Sequence, residues 1–138
     1  MGYYRYRNGD IYMGTFLAGV KHGYGKYSFI SGDTYEGDYL YGVIHGHGKY
    51  SYSDGATYEG SFEKGCKSGY GVHNFASGAK YEGMWANSLA HGHGRYTYPS
   101  GDVYEGEFNH GQMDKRTREL AQDSSSSQNE FSLENSEL

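Results

Sequence analysis

The sequence predicts an all-β fold: a single-layer, elongated, twisted antiparallel sheet built from consecutive 23-residue β-hairpins. Three observations predict it: a fixed 23-residue period, a period-two alternation inside each period, and too few aliphatic residues for a layered core. The period shows first in the triplets Tyr12-Met13-Gly14, Tyr35-Glu36-Gly37, Tyr58-Glu59-Gly60, Tyr81-Glu82-Gly83 and Tyr104-Glu105-Gly106. Gly9, Gly32, Gly55, Gly78 and Gly101 keep the same step. So do the pairs Gly23/Gly25, Gly46/Gly48, Gly69/Gly71 and Gly92/Gly94, and the aromatic column Phe16, Tyr39, Phe62, Trp85 and Phe108.

The alternation makes each half-period a strand. Tyr35, Gly37 and Tyr39 fall on one face, with Thr34, Glu36 and Asp38 on the other. The second strand places Gly46, Gly48, Tyr50 and Tyr52 on the first face. A two-residue loop at Asp54-Gly55 would set Tyr50 against Glu59 and mix the faces. A three-residue loop, Ser53-Asp54-Gly55, pairs Tyr50 with Tyr58 and Lys49 with Glu59. The same register pairs Lys26 with Glu36 and Arg95 with Glu105. The boundary glycines Gly9, Gly32, Gly55, Gly78 and Gly101 are therefore structural turn residues, expected in type I turns with a G1 bulge. The lack of side chains at Gly37, Gly46 and Gly48 is expected to let neighbouring rings lie flat over the backbone. Ten strands are expected between about Gly2 and Phe108, in a ladder roughly 43 Å long.

Composition sets the limits. The 138 residues make one domain's worth of chain, with 23 Gly, 17 Tyr and 1 Pro, so rings must pack on glycine-rich backbone. The net charge of −5 excludes a generic nucleic-acid binder, which needs a basic excess. Residues up to Met113 hold 9 basic and 11 acidic side chains, and the remainder holds 3 and 6, so neither part is a basic block. Cys66 is the one cysteine; no disulfide framework exists, and a reducing, cytoplasmic setting is expected. The apolar runs are too short for a membrane-spanning helix.

The stretch Tyr35-Glu36-Gly37-Asp38-Tyr39 … Gly42 … His45-Gly46-His47-Gly48 … Gly55 resembles the MORN (membrane occupation and recognition nexus) repeat. The resemblance covers about residues 1–111: a partial unit, four full units and a final half unit. Met13 stands for the usual Glu, Ser68 for the usual His and Ser88 for a loop Gly. The resemblance implies an interaction module, since such arrays sit in cytoskeletal and axonemal scaffolds and at membrane contacts. Residues 81–108 look most like radial-spoke-head arrays, which implies a cytoskeletal or ciliary (flagellar axoneme) location.

No residue set stands out as catalytic. No Ser/His/Asp or Cys/His constellation lies outside the repeat columns, and Cys66 is expected in a hairpin loop without a base. An enzyme is not expected, nor a cofactor or a small-molecule substrate. His45/His47 and His91/His93 are i, i+2 pairs of metal-ligand type. Yet His22, His45 and His91 share one column, which reads as structural, and the pairs lie about 19 Å apart. The glycine pairs lack the strand–loop–helix context of a phosphate site. No metal site is therefore assigned.

The ring face is the expected binding surface. Of 24 aromatics, 19 fall on it, and a single layer has nothing to cover them. Half-exposed rings would leave a patch above about 1,000 Å², more than monomers usually show. The expected anchors are Tyr12, Phe16, Tyr35, Tyr39, Tyr58, Phe62, Tyr81, Trp85, Tyr104 and Phe108. The expected partner is a protein helix or extended segment, or a second copy in a homodimer. The alternative from another class is a phospholipid (phosphoinositide) membrane surface, held by a basic patch of Arg5, Arg7, Lys21, Lys26 and Lys49. Residues 112–138 read as a polar, acidic tail, with a short helix at 114–122 and disorder beyond it.

Overall fold

The computed structural model describes residues 1–113. Eleven strands follow in chain order: β1 (Gly2–Arg5), β2 (Ile11–Leu17), β3 (Val20–Ser28), β4 (Thr34–Leu40), β5 (Val43–Ser51) and β6 (Thr57–Glu63). Then come β7 (Cys66–Asn74), β8 (Lys80–Ala86), β9 (Leu89–Thr97), β10 (Val103–Asn109) and β11 (Gln112–Met113). Each pairs only with its neighbours in sequence, antiparallel, in one unclosed sheet.

Two kinds of turn alternate. At the unit boundary, the Tyr52 carbonyl accepts from Gly55 N at 3.0 Å and Tyr52 N donates to the Ala56 carbonyl at 2.9 Å. With Gly55 at φ 99°, this is the type I turn with a G1 bulge. The same two bonds recur at Tyr6/Gly9/Asp10, Phe29/Gly32/Asp33, Phe75/Gly78/Ala79 and Tyr98/Gly101/Asp102. The registers follow: Tyr50 faces Tyr58, Lys49 faces Glu59, Lys26 faces Glu36 and Arg95 faces Glu105. Inside the unit, Tyr41 at φ 47° and Gly42 at φ 89° make a two-residue type I′ turn between β4 and β5.

The within-unit hairpins carry a second irregularity, invisible to the alternation. Gly37 faces Gly48, but Tyr39 faces Ile44, so residues 45–47 of β5 stand opposite Asp38 alone. This bulge gives Gly46 its φ of 112°. A Cβ there would meet the Asp38 carboxylate at 2.8 Å. Gly46 thus serves the bulge and does not make room for a ring, unlike Gly37 and Gly48.

Those two glycines hold the core. The Tyr35 ring lies over both, with its hydroxyl donating to the Asp38 carbonyl at 2.8 Å. Tyr12, Tyr58, Tyr81 and Tyr104 make the same bond to Thr15, Ser61, Met84 and Glu107, at 2.8 to 3.0 Å. The next unit then supplies a second ring edge-on. Tyr12 meets Tyr39, Tyr35 meets Phe62, Tyr58 meets Trp85 and Tyr81 meets Phe108, all T-shaped at 4.9 to 5.4 Å.

Two further points differ from the sequence expectation. The array runs past Gly111, because His110-Gly111 repeats the type I′ turn and returns the chain as β11. Cys66 is not in a loop but begins β7, opposite Glu63. The expected helix at 114–122 and the acidic tail beyond it lie outside the described residues.

A Cβ at Gly71 would come within 3.0 Å of the Tyr58 hydroxyl and ring, while at Gly55 it would meet nothing within 4 Å. Gly71→Ala is therefore expected to cost about 2–4 kcal/mol in urea denaturation, from overpacking a rigid ring. Gly55→Ala, which strains only φ, is expected to cost about 1 kcal/mol.

Candidate functional site

The rings expected as open anchors are instead the core. Tyr12, Tyr35, Tyr39, Tyr58, Phe62, Tyr81, Trp85, Tyr104 and Phe108 are all at most 5% exposed. Only Phe16, at 38%, is open; among the described residues no ring stands against it as Tyr12 stands against Tyr39. Edge-on packing between units, together with ring seating on glycine, buries what a flat sheet would leave bare. The open patch expected from these ten rings does not form. Burial also raises the hydroxyl pKa of Tyr35, Tyr39, Tyr58 and Tyr81 above its ordinary value, so these phenols stay neutral.

An accessible part of the ring face lies at the N-terminal end. Two hollows meet there, sharing Lys21 and Gly42. One is lined by Tyr4, Tyr6, Phe16 and Val20, the other by Tyr27, Phe29, Tyr39, Val43 and Ile44. Val20 and Val43, beside the Ala18-Gly19 and Tyr41-Gly42 turns, are 42% and 44% exposed. Lys21 Nζ sits 5.4 to 5.8 Å from the centres of the Tyr6, Tyr12, Tyr27 and Tyr39 rings and donates to the Tyr6 hydroxyl at 3.2 Å. It is the one charged side chain lining either hollow.

Lys67 occupies the same column 46 residues on but is fully buried. Its Nζ lies 4.8 Å from Trp85, 5.2 Å from Tyr58 and 5.6 Å from Tyr52, and 3.5 Å from His73 Nδ1. The column Lys21, Ile44, Lys67, Ala90, Met113 faces the rings. Sequence reading placed Lys21 in a basic patch with Lys26 and Lys49, but those two stand on the opposite face, in register with Met13 and Glu36. The patch a phospholipid headgroup would need is split between the two faces.

The histidine column is a set of staples between units. His22, His45 and His91 accept at Nδ1 from the backbone N–H of Tyr41, Lys64 and His110, at 3.0 to 3.2 Å. Each of those donors is the positive-φ residue of the next type I′ turn. Where Ser68 replaces the histidine, that turn becomes Asn87-Ser88, and the Ser88 hydroxyl accepts from the Lys67 N–H at 3.2 Å. On the same face as His91, His93 lies 3.3 Å from Glu105 and 3.4 Å from Glu107, and these carboxylates raise its pKa. No group of three or more metal-ligating side chains converges among the described residues.

A second staple is an aspartate column. Asp10 accepts from the Tyr27 hydroxyl at 2.7 Å and Ile30 N at 2.8 Å; Asp33 accepts from Tyr50 at 2.9 Å and Ser53 N at 2.8 Å. The Tyr27 hydroxyl and the Ile30 N–H hold the Asp10 carboxyl below the usual range. In the third unit both partners change together, to Ala56 and His73. His73 is buried against Lys67; burial first, then the Lys67 charge, push its pKa down to about 3.

Fold and site define a class: an open β-hairpin repeat protein whose units hold one another through rings and staples. The chain belongs to the MORN-repeat family, whose family model matches residues 12–34, 35–57, 58–80, 81–103 and 104–114. Comparison with curated proteins finds no match. MORN repeats mediate protein or membrane interactions, and this array is an interaction module of that general kind.

His73 gives a pH prediction with a fixed sign. Its folded pKa lies below the ordinary value of 6.5, so on acidification the unfolded chain takes up a proton that the folded array refuses. Stability contributed by neutral His73 is complete above pH 6.5 and declines as pH falls toward 3. The midpoint of thermal unfolding for His73→Phe should therefore fall less than that of the unmodified chain between pH 7 and pH 4. Parallel curves for the two would contradict the buried, neutral assignment.

Proposed function

We propose that the array is a non-enzymatic scaffold that grips a protein segment, a helix or an extended strand, in the N-terminal groove of its ring face. One observation carries this reading. The two hollows around Lys21 gather the half-open rings of Tyr4 and Phe16, with Val20 and Val43 at the rim, on a face where the rings of the Tyr35-to-Tyr104 and Tyr39-to-Phe108 columns are sealed. Apolar anchors beside one cation form a surface of hot-spot type. Of the ten expected anchor rings Phe16 alone remains, joined by Tyr4, with Val20 and Val43 at the rim. The ring staples support a non-enzymatic role, because His22, His45 and His91 spend Nδ1 on backbone N–H groups. The division of basic residues between the faces weighs against a phospholipid surface. A cytoplasmic cytoskeletal or ciliary assembly is the setting we propose, on the family resemblance.

The test is photo-cross-linking in cells, with benzoylphenylalanine at position 4 of the full chain, on the ring face, or at position 70 on the opposite face. Position 4 should capture a discrete protein partner, and position 70 should not. Phe16→Glu should reduce that capture at least about tenfold, since a buried charge removes a hot-spot contact. Equal capture from both faces, or capture unchanged by Phe16→Glu, would contradict the groove.

A further inference from the structure

We propose that the open edge of β1 pairs antiparallel with β1 of a second copy, joining two arrays into one continuous sheet. The pairing rests on backbone register and stands or falls independently of the groove reading. Among the described residues β1 pairs with β2 alone and closes one end of the strand order. A sheet edge is a row of unpaired N–H and C=O groups, which proteins blunt with proline, a bulge or a covering segment. Among the described residues β1 carries none of these. Its register to β2 runs from Gly2 to Arg5 without a shift, and its sequence is Gly-Tyr-Tyr-Arg. Tyr3 and Tyr4 are 62% and 52% exposed.

The boundary turn decides which backbone groups point outward. Tyr6 N donates to the Asp10 carbonyl at 2.8 Å, so Tyr6 is a hydrogen-bonded position of the β1–β2 ladder. In an antiparallel ladder such positions alternate with others whose N–H and C=O point away from the partner strand. Tyr4 and Gly2 therefore bond to β2, while Arg5 and Tyr3 turn both backbone groups outward.

Those four groups select a register. Opposed residues share a face, and Tyr4 stands on the ring face opposite Tyr12. Setting Tyr4 against Tyr4 of the second copy places each Tyr3 opposite the other copy's Arg5. Both of these pairs then exchange two backbone bonds, and each guanidinium lies beside a tyrosine ring. Shifted two residues one way, Arg5 meets Arg5, with like charges in direct opposition. Shifted the other way, Tyr3 meets Tyr3 and Arg5 falls opposite Met1, outside β1. The edge is thus complementary to itself in one register, which selects a second copy over an unrelated strand. The two ring faces come out on the same side, so the joined scaffold presents that face twice.

So few backbone bonds make a small interface, and sedimentation equilibrium of the full chain should show a dimer dissociating in the micromolar range. Tyr3→Pro removes an outward N–H and no bond to β2. It should weaken the dimer at least about tenfold while leaving the midpoint of thermal unfolding unchanged. Disulfide trapping under mild oxidation, in a Cys66→Ser background, reads the register. Tyr4→Cys sets two sulfurs across a non-hydrogen-bonded pair, with Cα atoms about 4.5 Å apart, and should yield a covalent dimer. In Tyr3→Cys the two positions lie on a diagonal about 7–8 Å apart, and the yield should be roughly tenfold lower. A monomer at every concentration, a dimer indifferent to Tyr3→Pro, or equal trapping from positions 3 and 4 would overturn the proposal. A second copy captured by benzoylphenylalanine at position 4 carries this chain's own mass, which separates it from an outside partner.

Discussion

The structure depends on one contact, the seating of a tyrosine ring on a pair of glycines in adjacent strands. The Tyr35 ring lies over Gly37 and Gly48, its hydroxyl held by the Asp38 carbonyl, and the motif repeats at Tyr12, Tyr58 and Tyr81. Without a second layer, the sheet can bury apolar surface only against itself. Glycine removes the side chains that would keep a ring from the backbone, and the ring then excludes water from the strand beneath. Each seated ring also becomes the floor for the T-shaped ring of the next unit. Local packing and inter-unit coupling are thus one interaction, which is how a quasi-one-dimensional array gains cooperativity.

This constraint explains where the ring face is open. Tyr12, Tyr35, Tyr58 and Tyr81 are each capped by a ring of the unit that follows and vanish from the surface. Among the described residues no ring covers Phe16 as Tyr12 covers Tyr39, so Phe16 stays half-open beside the two hollows around Lys21. The proposed binding surface lies where this ring packing is incomplete, not where it is most regular. The buried Lys67 shows the opposite case, in which the same column is sealed by Trp85, Tyr58 and Tyr52.

Most of the fold was legible in the sequence, because period, face and turn type are all local. The Tyr50/Tyr58 register follows from keeping tyrosines on one face, and the boundary turns follow from Gly55 and its equivalents. The bulge at 45–47 was not legible, since it shifts the register by two and leaves the alternation intact. Burial of the anchors was hidden too, because exposure depends on contacts between units 23 residues apart. The third-unit exchange of Asp and Tyr for Ala56 and His73 was a visible signal, readable once the two columns are known to bond.

The most direct test of the ring-on-glycine contact is a double-mutant cycle at Tyr58 and Gly71, measured by urea denaturation. If the ring occupies the space a Cβ at Gly71 would need, Gly71→Ala should cost much less once Tyr58→Ala has removed the ring. The coupling energy should then exceed about 1 kcal/mol. Additive costs, within about 0.5 kcal/mol, would show that the glycine serves the backbone alone and that the ring is not what the sheet is built on.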